Sequence, residues 1–205
     1  MAKSQMSILD ALLKLRQICC HPRLLKLDLP GVNTNLPSGK FDAFKDLITD
    51  CIEEGHKVLV FSQFVQMLHI IRSWMTICQM PFAYLDGSSK DRFDQVDRFN
   101  QDESIKVFLI SLKAGGTGLN LTSADYVIHY DPWWNPAVEN QATDRTHRIG
   151  QLRQVFSYKM ICQNTVEEKI LKLQEQKRDV AEAVIPGQDA FKSLTRTDLE
   201  SLFDV

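Results

Sequence analysis

Residues 111–151, SLKAGGTGLNLTSADYVIHYDPWWNPAVENQATDRTHRIGQ, decide how this chain is organised. The stretch opens on a glycine-rich turn, runs through a short apolar strand into a pair of tryptophans, and ends in a helical pattern carrying two arginines. Gln141, Arg145 and Arg148 stand four and three residues apart, so on a helix all three share one face. Three donor-rich groups aimed the same way make an anion site, and the planar guanidinium suits a phosphate. A plainer reading of the same residues stays open at this point: a solvated helix face on which Asp144 pairs with Arg148 four positions on.

Working outward, the neighbouring segments alternate between strand and helix patterns. Residues 57–62 (KVLVFS) and 106–111 (KVFLIS) are short continuous apolar runs, as expected of strands covered on both faces. Residues 81–85, 125–130 and 154–161 read as three further strands. Helical spacing fits 41–52, where Ser38 is the expected cap and Gly55 the expected stop. It also fits 64–78 and 89–100, the latter with Ser88 as cap and Phe93, Val96 and Phe99 as inner face. Strands separated by 10–15-residue helices predict right-handed βαβ units around a parallel sheet.

Both ends of the chain carry helical arms. Met6, Ile8, Leu9, Leu12, Leu13, Leu15 and Ile18 give a broad apolar face, expected to pack on something not wholly inside this chain. Residues 27–37 then form a connector. A helix begins after Thr165 and reaches towards Val184, followed by a polar tail beyond Pro186-Gly187. The expected units are an N-terminal helix and connector over 1–37, an α/β lobe over 38–163, and a C-terminal extension over 164–205.

Composition bounds the function. The 205 residues are 44% hydrophobic and 24% charged, with a net charge of −2, so bulk charge does not point to nucleic acid. Any such contact has to come from a local patch. Five cysteines, odd in number and without CxxC spacing, argue against a disulfide framework and against zinc, and fit a reducing intracellular setting. Adjacent cysteines such as Cys19-Cys20 rarely both reach one tetrahedral ion. No apolar run is long enough to span a membrane, and no signal peptide opens the chain. Ser38-Gly39-Lys40 is not a P-loop: position 34 is Thr34 where glycine is needed, and Phe41 follows the lysine.

In open parallel sheets ligands bind beyond the carboxyl ends of the strands. Ser62-Gln63-Phe64, Lys113 to Gly118, and Asp131 to Asn135 all fall on that rim. The glycines allow close backbone approach to an anion, and Lys113 with Thr117 offers a charge and a hydroxyl to a phosphodiester oxygen. One of Trp133 and Trp134 is expected in the core and the other exposed for stacking or groove insertion. Asp131 is expected to cap the turn after it, and His129 to be a satisfied core histidine.

In that order, FSQF, YLDGS, SLKAGGTGLNL, DPWWNP and QATDRTHRIGQ resemble the second half of the Swi/Snf-type motor ATPases of helicase superfamily two, and ICCHPRLL and VEEKILKLQEQKRD resemble its flanking segments. The resemblance covers residues 6–180 or so. It implies a RecA-like C-terminal lobe, a parallel sheet sandwiched by helices, which closes on ATP against a first lobe and moves along duplex DNA. Arg145 and Arg148 match arginines that reach the triphosphate, Arg148 as the arginine finger. Gln141, Gly116 and Gly118 match positions that couple nucleotide to the lobe. Ser62, Gln63, Asp86, Gly87, Lys113, Gly115, Thr117, Trp134 and Asn135 match positions on or near the DNA, with Trp134 at the groove.

The same resemblance places the P-loop and the Mg²⁺-holding carboxylates on the first lobe, and neither stands in this sequence. Half of an ATP site is therefore expected here, in an otherwise monomeric chain that turns over no ATP alone, and the opening at Met1 reads as an excised domain. A bacterial source would put it in cytoplasm or nucleoid, a eukaryotic one in the nucleus. Two other functions stay in view: a module that only binds DNA or a partner, and a free-standing nucleotide enzyme, the weaker since no nucleophile–base pair is assembled.

Overall fold

A computed structural model describes residues 2–25, 36–115, 119–143 and 154–181, with side chains over 7–25 at one end and up to 175 at the other. Five strands, β1 (Val58–Ser62), β2 (Phe82–Leu85), β3 (Val107–Ser111), β4 (Tyr126–His129) and β5 (Phe156–Lys159), form one sheet in the order β2-β3-β1-β4-β5. Every pairing is parallel. This is the RecA-like arrangement expected from the sequence, with each strand within a residue or two of its expected range.

The central strand explains the architecture. All five residues of β1 and of β3 are buried. Side chains alternate across a strand, so Leu59 and Phe61 enter one core while Val58 and Val60 enter the other. On the first face lies α4 (Arg92–Gln101), which contributes Val96 and Phe99. On the second lie α2 (Gly39–Glu53) and α3 (Val65–Ile77), which contribute Phe44, Ile48, Met67, Leu68, Ile71 and Met75. A helix covering each face is the packing solution for strands with no polar side.

The ends of α2 are set by local chemistry. The Ser38 hydroxyl accepts the Phe41 N–H at 3.3 Å, as a cap should. At the other end Gly55 takes φ +84°, and the His56 and Gly55 N–H groups return to the Cys51 and Ile52 carbonyls, a Schellman closure. Two expectations for α4 fail. It starts at Arg92, because Ser88 instead donates both its N–H and its hydroxyl to the Asp86 carboxylate in a tight turn. Phe93 belongs to the outer face, 76% exposed, since the sheet contacts only the turn that carries Val96 and Phe99.

A third, smaller core joins the two ends of the chain. Leu12 of α1 (Ala2–Cys20) meets Val166, Ile170 and Leu173 of α7 (Val166–Ala181), with Trp134 between them. Only part of the broad apolar face of α1 is used, and Leu13, Leu15 and Ile18 are exposed. Thr165 caps α7 through the Glu167 N–H at 3.2 Å, as its position predicted.

One buried ion pair locks this layer to the sheet. Lys40 Nζ of α2 lies 2.5 Å from Glu167 Oε2, with side chains 3% and 0% exposed, and donates to the Tyr130 and Met160 carbonyls at 3.2 and 2.9 Å. Removing one partner of such a pair strands the other charge in a dry site. Lys40→Met is expected to lower the unfolding free energy by about 3–5 kcal/mol, against far less for the exposed Lys14→Met; urea-unfolding midpoints at an unchanged slope check this.

Candidate nucleotide and nucleic-acid rim

The carboxyl ends of β1, β2, β3 and β4 lie side by side, and each runs into one of the stretches singled out in the sequence. What the rim offers depends on which polar groups are already used. Ser62 is buried, and its hydroxyl donates to Asp131 Oδ1 at 2.5 Å while accepting the Phe64 N–H at 3.1 Å. The Gln63 N–H approaches Asp131 Oδ2 at 3.4 Å. Asp131 therefore ties the β1 and β4 loops together, and does not cap its own turn as expected. A carboxylate at the end of an inner strand finds N–H and O–H donors from the adjacent strand closer than any in the proline-bearing segment after it.

The partner of Asp131 on the outside is Arg16 of α1, which the sequence did not single out. Arg16 is buried, donates through Nη2 to the Pro132 carbonyl at 2.5 Å, and lies 3.9 Å from Asp131 Oδ2. Its guanidinium sits over the rings of Trp134 at 4.8 Å and of Trp133 and Phe64 at 5.7 Å. A signal was present: Arg16 follows Leu12 by four and precedes Cys20 by four, so it interrupts the buried stripe of α1.

The tryptophan loop is clamped from the other side by α6 (Pro136–Thr143) and α7. Glu139 is buried, accepts the Trp133 N–H at 2.5 Å and pairs with Lys159 at 2.5 Å. Gln174 of α7 donates to the Trp133 carbonyl and to Glu139. The expectation that Trp134 projects from the loop fails: it is 5% exposed and fills the α1–α7 core, with Trp133 half-buried beside it. The helical arms, which the sequence left without a partner, supply the apolar surface that buries it. Asn135 is half-buried and its Oδ1 accepts the Ala137 N–H at 3.0 Å, which starts α6.

Asp86 is similarly committed. Its carboxylate accepts from Tyr84, Ser88 and Ser89, and these hydrogen bonds, the Ser88 hydroxyl first, hold its pKa down at about 2 against burial. Gly87 beside it is exposed. Lys113 is exposed on α5 (Leu112–Gly115), a single turn anchored by Arg92 Nη2 donating to the Ala114 carbonyl at 2.6 Å. Gly115 is required by space, since a Cβ there would lie 2.8 Å from Phe61 Cε1. Gln141 is exposed on α6. Gly116, Thr117, Gly118, Arg145 and Arg148 lie outside the described residues. The rim carboxylates, Asp86 and Asp131, have their lone pairs engaged within the chain and do not suit Mg²⁺ coordination.

His129 behaves as a core histidine: buried, with Nε2 3.0 Å from Thr143 Oγ1, and held neutral by a burial-depressed pKa of about 4. Asp131 shifts the other way. Burial, stronger than the opposing Arg16 charge and Ser62 hydrogen bond, raises its pKa from 3.8 to about 6. The Asp131 contribution to stability is full below about pH 4 and lost as pH rises through 6. That of His129 is full above 6.5 and lost as pH falls through 4. The two oppose each other across the same window. In Asp131→Asn only the histidine effect remains, so the variant's stability relative to the parent should rise by roughly 3 kcal/mol from pH 4 to pH 6.5. Urea titrations at each pH test this, and a flat difference refutes it. Gly115→Ala should cost about 1–3 kcal/mol through the Phe61 clash, read from the same denaturation curves.

Residues 39–150 match the family described as "Helicase conserved C-terminal domain". Over 202 residues the chain is 41% identical to the Bacillus subtilis "Putative ATP-dependent helicase/translocase YwqA", an alignment spanning 96% of this chain and 22% of that one. Over 162 residues it is 45% identical to the human "Chromatin-remodeling ATPase INO80", spanning 78% of this chain and 10% of that protein. The solved "Sulfolobus solfataricus SWI2/SNF2 ATPase core in complex with dsDNA" superposes with a TM-score of 0.75 at 39% identity, covering 98% of this chain and 42% of the other. The chain spans about a fifth of the length of the curated bacterial relatives it matches along nearly its whole sequence. Among the described residues no helix is long and apolar enough to cross a membrane.

Proposed function

Because the chain belongs to the helicase conserved C-terminal domain family and is homologous to the Swi2/Snf2 ATPases, we propose that it is the C-terminal motor lobe of a two-lobe, DNA-stimulated ATPase that translocates on duplex DNA and remodels protein–DNA complexes. The observation that supports this best is the rim itself. Four parallel strands deliver their carboxyl ends to one edge, and α6, which carries the exposed Gln141, leads directly into the segment with Arg145 and Arg148.

On this reading the lobe supplies cations to a nucleotide held by its partner. Arg148 is the arginine finger, Arg145 a second phosphate contact, and Gln141 with Gly116 and Gly118 the coupling between nucleotide and lobe. A guanidinium placed at the transferring phosphoryl group stabilises the charge spread over its equatorial oxygens. The rim carboxylates are engaged internally, which supports a metal held by a first lobe, and the failed P-loop pattern around Lys40 supports a phosphate cradle there as well. Lys113 and the backbone of 115–118 track a phosphodiester strand, Lys113 as an exposed charge on a turn fixed by Arg92. Gly87 offers a close-approach point. Ser62, Gln63 and Asp86 act as the scaffold that sets these loops, and Trp134 with Asn135 as the scaffold of the next. The functional units are residues 1–37, 38–163 and 164–205, the first and last serving as arms around the lobe.

The test is phosphate release with and without duplex DNA. The chain alone should show no turnover; joined to a first lobe it should gain DNA-stimulated hydrolysis, and Arg148→Ala should remove roughly 10³–10⁵-fold of that rate. Turnover by the pure chain would sink the half-site reading. DNA binding with no turnover in the joined protein would favour a binding module.

A further inference from the structure

Three side chains meet beyond the carboxyl end of β5, the outer strand next to β4: Cys19 near the end of α1, Cys162 three residues after that strand, and Glu167 in the first turn of α7. One ligand atom from each lies within 4.8 Å of the other two. Both thiols are free and half-buried, and the carboxylate is fully buried. The two oxygens of Glu167 are unequally used. Oε2 is held by Lys40 Nζ at 2.5 Å and by the Cys162 N–H at 2.9 Å. Oε1 is buried and makes no hydrogen bond among the described residues. A carboxylate fixed through one oxygen and bare on the other is costly as it stands. It is also the way metal-ligating carboxylates are held, oriented by outer hydrogen bonds on one side and bound on the other.

We propose that Cys19, Cys162 and Glu167 form a site for a thiophilic divalent cation, Zn²⁺ or its analogue Cd²⁺, which clasps α1 to α7. Two sulfurs with one carboxylate oxygen suit a d¹⁰ zinc-type ion and not Mg²⁺ or Ca²⁺, which take oxygen ligands. The charges balance. On binding, each thiol loses its proton to water, and the dication with two thiolates and a carboxylate carries one negative charge, which the Lys40 ammonium neutralises. Bonds of about 2.0–2.3 Å in a tetrahedron place ligand atoms roughly 3.5–4 Å apart, so the three groups close in by at most about 1.3 Å from their present spread of up to 4.8 Å. The half exposure of both thiols supplies an entry path and leaves the fourth position to water. Linear spacing hid this arrangement, because the two cysteines are 143 residues apart.

The experiment is a titration of the reduced, metal-free chain with Co²⁺, followed by displacement with Zn²⁺ or Cd²⁺. One equivalent should bind with near-ultraviolet thiolate-to-cobalt charge transfer, proton release and a raised melting temperature. Cys19→Ser and Cys162→Ser should each weaken affinity by more than about 100-fold. Cys78→Ser, at an exposed thiol outside the cluster, should leave it unchanged. Circular dichroism of the serine variants confirms that they fold, and since serine keeps the backbone N–H by which residue 162 holds Glu167 Oε2, the Lys40–Glu167 pair stays in place and the result does not hinge on Glu167→Gln. Absence of charge transfer, or equal affinity in Cys162→Ser, overturns the proposal. So does loss of two hydrogens by mass under a peroxide with no uptake of metal by the reduced chain, which marks the pair as an oxidation site alone.

Discussion

A parallel sheet covered on both faces has no solvent within reach of its inner strands, so every polar group at the strand ends has to be met by another part of the chain. This protein meets that constraint with charged side chains used as hydrogen-bond donors to backbone. At the amino edge Lys57 Nζ donates to the Phe99 and Asp102 carbonyls, and the Asp125 carboxylate accepts the Lys57 N–H and faces His56. At the opposite edge Lys40 serves the Tyr130 and Met160 carbonyls and Arg16 serves that of Pro132. The charges that do this need counter-charges: Glu167 for Lys40, Asp131 for Arg16, and the exposed Glu103 for Lys57.

The consequence is that the helical arms are structural members of the lobe. Arg16 comes from α1, and Glu167 and Gln174 come from α7, so the rim loops are held by residues outside the sheet. The tryptophan loop is the clearest case: it is gripped by Arg16 over its rings, Glu139 beneath its N–H, and Gln174 on its carbonyl. A loop held this way presents its backbone in one geometry.

The opposed titrations of Asp131 and His129 follow from the same burial. One acid and one base, both desolvated, shift in opposite directions on the scale of their ordinary values, and their effects on stability offset each other through the mildly acidic range. Neutral pH leaves Asp131 charged opposite Arg16 and His129 uncharged in the core.

The linear sequence settled what depends on local periodicity: four short apolar strands and a fifth, exposed one, the helices between them, the Ser38, Gly55 and Thr165 boundaries, and the rim on which Lys113 and the Asp131–Asn135 loop lie. Apolar runs and capping residues act over a few positions, and neighbours in sequence suffice to read them. The motif order also carried the family. Only the tertiary structure decided which polar residues are spent inside. Ser62, Asp86 and Asn135 look available in sequence, yet their side-chain atoms are taken by partners two to sixty-nine residues away. Trp134 looked exposed because the surface that buries it is built from α1 and α7, at the two ends of the chain. Phe93 looked buried because helical spacing predicts a stripe without fixing how wide a stripe the sheet will cover. Arg16 with Asp131, and Cys19 with Cys162, are contacts across more than a hundred residues, and no local pattern encodes them.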